Sequence, residues 1–176
     1  MKKISICVSF LFLNIFHVSC SLVLQNIDLV DQVCKKTPYY DLCNSTLQSN
    51  PQAKNTDTKG IALIMVKDIV SNVNDTLNFT EGLIKNTSDV GLEKKLDFCA
   101  ETYIPLVKSV LPQAVDAVNQ SRFKYANYSI FYAGKEIGYC NNKFSGSTTS
   151  PLSDRNVTIQ KLFDIASAIL NLLLNG

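Results

Sequence analysis

Six cysteines and one histidine are the side chains in this sequence best suited to chemistry. Cys7, Cys20, Cys34, Cys43, Cys99 and Cys140 offer thiolate nucleophiles, metal ligands or disulfide partners. His17 offers a general base or an imidazole ligand. Two carboxylate pairs at helical spacing, Asp28 with Asp31 and Glu93 with Asp97, have the composition of a glycosidase acid and base. What each group can do depends on the segment that carries it.

The first 21 residues read as a signal peptide. Lys2 and Lys3 form a basic start, residues 4–18 are mostly apolar, and Ser19, Cys20 and Ser21 offer a cleavage site. The apolar run is short of the roughly 20 residues a membrane span needs, and it contains Asn14 and His17. Cleavage removes the only histidine together with Cys7 and Cys20. It also removes Lys2 and Lys3, which leaves 15 basic against 15 acidic residues. A formally neutral chain gives no electrostatic case for nucleic acid or an anionic membrane as partner.

Cys34, Cys43, Cys99 and Cys140 remain, an even number in an oxidising compartment. They imply two disulfides with three possible connectivities. Paired cysteines are lost as nucleophiles. The sequence has no HExxH, no Gly-rich phosphate loop and no nucleophile elbow. The carboxylate pairs fit a solvated helix face, because nothing around them builds a cleft. No catalytic residue, cofactor or metal is expected, and the chain reads as a non-enzyme.

The elements that position these cysteines are helical. Residues 24–36 and 39–47 read as two short amphipathic helices with Pro38 between them. Cys34 and Cys43 would lie about 13 Å apart along one straight helix, too far for a disulfide. A bond between them therefore requires the chain to turn back at Pro38, which disfavours helix at Thr37. Residues 22–50 thus form a stapled hairpin ahead of a bundle in residues 55–176.

After a polar connector over residues 52–59, Ala62, Val66, Ile69, Val73 and Leu77 recur at steps of four and three. That predicts a helix over 57–85. Leu92, Leu96, Cys99, Tyr103, Leu106 and Val110 mark a second helix, kinked by Pro105 and Pro112. Phe123, Ala126, Ile130, Ala133, Ile137 and Cys140 mark a third. A Gly/Ser/Thr/Pro loop over 145–153 precedes a fourth with Ile159, Leu162, Ala166, Ile169 and Leu173. The fold class is all-α: an antiparallel up-down-up-down four-helix bundle preceded by the hairpin. Cys99 and Cys140 both lie on core stripes, so the pairing Cys34–Cys43 with Cys99–Cys140 satisfies both spacing and stripe position.

Sequons stand at Asn44, Asn74, Asn78, Asn86, Asn119, Asn127 and Asn156, more than chance placement of Ser and Thr supplies. They favour a glycoprotein of the secretory route. A neutral, stapled, secreted bundle without catalytic groups works by presenting a surface. Spacing and composition end there.

The pattern Cys34-Lys-Lys-Thr37-Pro38-Tyr-Tyr40-Asp-Leu-Cys43 resembles the plant invertase and pectin methylesterase inhibitor family. The likeness extends through the bundle, the two later cysteines and Ser150-Pro151-Leu152 before the last helix. It implies a proteinaceous inhibitor that docks on a plant acid invertase or on pectin methylesterase, in the cell wall or vacuole. The Thr37-Pro38-x-Tyr40 wording is closer to the invertase-inhibitor branch. Members that block invertase carry Pro-Lys-Phe at the start of the third bundle helix, reaching toward the substrate cleft. The corresponding residues here are Ser121, Arg122 and Phe123. They are the target-binding residues the resemblance implies. Phe123 also fits the core stripe and Arg122 also suits a solvated helix start. Asn119-Gln120-Ser121 is a sequon on the same element, and a glycan there would crowd it.

The first expectation is inhibition of acid invertase. Inhibition of pectin methylesterase is the alternative, mildly favoured by the missing proline. A ligand-carrying or storage-like bundle is the third, suggested by the apolar residues 170–174 and the sequon load.

Overall fold

The computed structural model describes residues 28–146 and 149–175 of the 176-residue chain. The expected signal peptide, with Cys7, His17 and Cys20, lies outside the described residues. So do the first residues of the expected first helix.

The hairpin consists of α1 (Leu29–Cys34) and α2 (Tyr40–Gln48). The Asp28 side chain accepts from Val30 N–H and caps α1. Cys34 and Cys43 are bonded across the turn with Cα atoms 5.5 Å apart. Asp31 reinforces the fold-back by accepting from Lys35 Nζ at 2.7 Å and from the Tyr40 hydroxyl at 2.8 Å. These two donors, Lys35 first, hold the Asp31 carboxyl below its usual range. The expected polar connector contains a single 3₁₀ turn, Pro51–Asn55, that buries Ala53. Asn50 caps it and Pro51 supplies a first position that needs no N–H donor.

The bundle begins with α3 (Thr58–Asn86), capped by Asp57 Oδ1 on Gly60 N–H at 2.8 Å. Asp89 then caps α4 (Val90–Pro105) by accepting from Gly91 and Leu92 N–H. The helix continues as a π-helical turn, Leu106–Val110, into α5 (Leu111–Asn119). Pro112 has no N–H for the carbonyl one turn behind, and the Leu111 amide reaches Leu106 O instead. The expected single kinked helix is thus one helical path with a widened turn between its two prolines. Then come α6 (Phe123–Asn142) and α7 (Ser153–Asn175).

α3 packs on α4, α5 and α7, and α6 packs on the same three. α3 and α6 are therefore the diagonal pair of an up-down-up-down four-helix bundle. The apolar stripes meet in one core, where Ile61, Met65, Ile69, Leu96, Leu106, Ile130, Ile137 and Ile159 are sealed from solvent. Cys99 on α4 and Cys140 on α6 are bonded at the centre of that core, Cα atoms 4.9 Å apart. Both disulfides match the sequence expectation.

Candidate functional site

The turn between α5 and α6 positions Ser121, Arg122 and Phe123. α5 ends with two bonds that reach back along the helix. Arg122 N–H donates to Ala117 O at 2.8 Å and Ser121 N–H to Val118 O at 3.0 Å. These are the paired bonds of a Schellman ending, which puts the residue after the C-cap in the left-handed region. That residue is Ser121, with φ 56°. Glycine is the usual occupant, and a proline, fixed near −65°, cannot take this conformation. The turn here is therefore built differently from one begun by the proline that the resemblance implies.

A second anchor comes from α3. Lys59 Nζ donates to Asn119 O at 2.8 Å and to Ser121 Oγ at 2.9 Å. It closes over the last orphan carbonyls of α5, where a cation is favoured by the helix dipole. Arg122 then stands exposed at the tip of the bundle as the N-cap residue of α6. Its guanidinium lies 5.3 Å from the Tyr125 ring centroid, and it makes no ion pair among the described residues. Tyr125 is steadied by donating its hydroxyl hydrogen to Gln113 Oε1 at 2.9 Å. Phe123 turns the other way, half-buried against the core. The two residues divide the work: Phe123 fastens the turn, and Arg122 carries an unpaired, planar cation outward. Such a group suits bidentate contact with a carboxylate in a concave acidic site.

The carboxylate pairs have structural placements. Asp28 caps α1 and Asp31 holds Lys35 and Tyr40. Glu93 is half-buried in the first turn of α4, and Asp97 is exposed on the same helix. Among the described residues no group of three or more His, Cys, Asp or Glu is arranged to hold a metal.

The sequons fall into distinct environments. Asn78, Asn86 and Asn119 are exposed, and Asn44 and Asn74 are partly so. Asn127 donates its amide to Asn171 Oδ1 at 3.0 Å and accepts from Ser167, which ties α6 to α7. Asn156 corrects the sequence expectation. It is fully buried, accepts from the Tyr103 hydroxyl, and spends its amide on Asn141 Oδ1 at 2.7 Å. A glycan on that amide has no room in the folded bundle, so Asn156 is a core residue and not a surface acceptor. The apolar residues near 170 also have a packing role: Leu170 is buried, and Leu172 and Leu173 rest against the core.

A model of the family described as plant invertase/pectin methylesterase inhibitor matches residues 28–169, most of the chain and all of the site. The chain belongs to the plant invertase/pectin methylesterase inhibitor family. Within it, the chain is 33% identical over 141 residues to the Arabidopsis thaliana cell wall/vacuolar inhibitor of fructosidase 1, covering 80% of this chain and 67% of that protein. It is 26% identical over 147 residues to the pectinesterase inhibitor of Actinidia deliciosa, covering 82% and 79%. The crystal structure of an Arabidopsis thaliana pectin methylesterase inhibitor superposes with a TM-score of 0.63 at 18% identity, over 84% of this chain and 97% of that one. That likeness is one of fold. A member of this family is an inhibitor of an enzyme and not itself a catalyst. Relatives named for both targets flank the chain, so family membership leaves the target open.

Lys59 is the site residue that sequence reasoning missed. It stands 62 positions from Ser121 and reads in sequence as an ordinary solvated lysine at a helix start. Only the fold brings the two together.

Proposed function

We propose that this protein is a secreted inhibitor of plant acid invertase, acting outside the cell or in the vacuole. Its exposed Arg122 would enter the target's substrate cleft. The observation that carries the reading is the presentation of Arg122. An unpaired guanidinium is held at the tip by a Schellman turn and by Lys59, while Phe123 anchors the same turn in the core. A retaining glycosidase presents two carboxyl groups close together in its cleft, a natural counterpart for a planar cation. The relatives named for fructosidase inhibition, at 33% and 29% identity, support the same target. Residues 1–21 would direct export, with oxidative formation of both disulfides.

Pectin methylesterase is the second reading. It is favoured by Ser121, whose φ of 56° replaces the proline-led turn implied for invertase blockers. Titrating the secreted protein against both enzymes separates the two. Loss of sucrose hydrolysis at micromolar inhibitor or below, with methanol release from pectin unchanged, is the expected result. The opposite pattern would assign the chain to pectin methylesterase, and inhibition of neither would reject both readings.

A further inference from the structure

The outward face of α6 is aromatic. Tyr125, Tyr128, Phe131, Tyr132 and Tyr139 are all exposed, Tyr128 to 65% and Phe131 to 61%. Elsewhere among the described residues the exposed aromatics are Tyr39, Tyr40 and Phe79, each at 37%. Tyr128, Tyr132, Lys135 and Tyr139 follow one another at steps of four, three and four, a straight row opposite the buried stripe through Ile130 and Ile137. From Tyr125 to Tyr139 the row is about 21 Å long. Cations edge it: Arg122 lies beside the Tyr125 ring, and Lys135 Nζ sits 5.1 Å from the Phe131 centroid. The opposing charge is Glu136, bonded to the Tyr132 hydroxyl, whose pKa it raises.

A helix face left to water is normally charged and mixed. Five exposed rings, four of them with a polar tip, bordered by Arg and Lys, have the composition of a protein interface. Two further observations say what covers it. The row runs without a break into Arg122 at the tip. Taken alone, the five rings, exposed to between 42% and 65%, offer roughly 500 Å² at about 200 Å² a ring, short of the about 800 Å² per partner of a stable complex. A second copy meeting ring against ring would be too small a contact, whereas a partner that also receives the tip would not be. The sequons of α3 point the same way, whereas Asn119, exposed beside Arg122, must stay unglycosylated for the tip to enter a cleft. Asn74, Asn78 and Asn86 all lie on α3, the diagonal opposite of α6. Asn127, the sequon within α6, turns its amide to Asn171 on α7 and away from the row.

We infer that the aromatic face of α6 is a lateral docking surface for the same enzyme whose cleft takes Arg122. The inhibitor then lies along its target on α6, with α3 and its sequons turned to solvent. This rests on the reading of Arg122 under the proposed function. The test uses the full-length secreted glycoprotein and the enzyme it inhibits. Tyr128→Ala combined with Tyr139→Ala should raise the inhibition constant at least about tenfold at an unchanged melting temperature. Phe79→Ala on α3 should stay within about twofold. Hydroxyl-radical footprinting of the complex should protect Tyr128, Tyr132 and Tyr139.

Wild-type potency in the double tyrosine variant, while Arg122→Glu abolishes inhibition, would overturn this inference and leave the tip reading intact. So would undiminished labelling of the three tyrosines in the complex, or a wild-type dimer in solution that the double variant dissociates. Loss of potency on tyrosine truncation with Arg122→Glu still active would uphold the face and remove the tip. A wild-type protein that inhibits neither enzyme would overturn both.

Discussion

Tyr103 on α4 donates its hydroxyl hydrogen to Oδ1 of Asn156 on α7 at 2.8 Å, in a site where both side chains are sealed from water. The same hydroxyl lies 3.0 Å from Sγ of Cys140, which is bonded to Cys99 one turn before Tyr103. Asn156 completes the set by donating to Asn141. Three bundle helices are thus joined by a satisfied polar network around the buried disulfide. Burial also pushes the Tyr103 pKa far above the ordinary tyrosine value. Tyr103→Phe would leave Asn156 Oδ1 buried without a donor, at a cost of about 1–3 kcal/mol. A fall of several degrees in melting temperature is expected, with no change in helix content by circular dichroism.

The long disulfide should outweigh the short one. Cys99 and Cys140 are 41 residues apart and Cys34 and Cys43 only nine. In the chain-entropy model those loops correspond to about 4 and about 2.7 kcal/mol. Denaturant melts of Cys99→Ala/Cys140→Ala and Cys34→Ala/Cys43→Ala should therefore rank in that order. The second variant should keep a cooperative bundle transition, because its loss is confined to the hairpin.

The turn before α6 stores backbone strain that glycine would relieve. Ser121→Gly relieves left-handed strain of about 1 kcal/mol but gives up the Lys59 Nζ bond to Ser121 Oγ, of similar worth, so the melting temperature should change little. It also erases the Asn119 sequon, so a loss of mass in the secreted protein would report a glycan at that site. Lys59→Met removes the ties to Asn119 O and Ser121 Oγ. It should weaken inhibition roughly three- to tenfold, about the worth of one net hydrogen bond, while altering the melting temperature little. An equal loss from a distant surface lysine such as Lys85 would contradict this positioning role.

Much of this arrangement was legible in the sequence, and the parts that were not share a physical reason. The stripes through Ile69, Leu96, Ile130 and Ile159 repeat at helical spacing and all point inward. Burial of apolar surface dominates folding, so that pattern predicts the bundle and with it both disulfides. Asn156 was misread because a sequon describes three residues, whereas its burial depends on Tyr103 and Asn141. The left-handed φ of Ser121 and its tie to Lys59 depend on how α5 ends against α3. The aromatic row on α6 was plain in the letters. An eye following the buried stripe passes over its opposite face.

Acidification should favour the folded state through Asp68. Burial on α3, beside Lys67 and under α2, raises its carboxyl above the ordinary 3.8 despite a hydrogen bond from Asn72. The folded chain therefore takes up this proton at a higher pH than the unfolded chain. Stability gains as pH falls through the raised folded value, and the gain is complete below the unfolded value. Asp31 acts in the opposite sense: its depressed carboxyl supports the fold above its unfolded value, and that support is lost as pH falls through the folded one. Asp68→Asn should melt higher than wild type near neutral pH, and the difference should shrink toward about pH 4. A pH-independent difference would contradict the burial account.

The central claim is that an unpaired Arg122 at the tip of the bundle enters an acidic cleft. Charge reversal tests it most directly: inhibition constants of wild type and Arg122→Glu are measured on the same invertase, with melting temperatures in parallel. The account predicts a loss of at least about a hundredfold, because Glu would face the target's carboxylates, with Arg122→Lys in between and all three proteins melting alike. Undiminished inhibition by Arg122→Glu would contradict it.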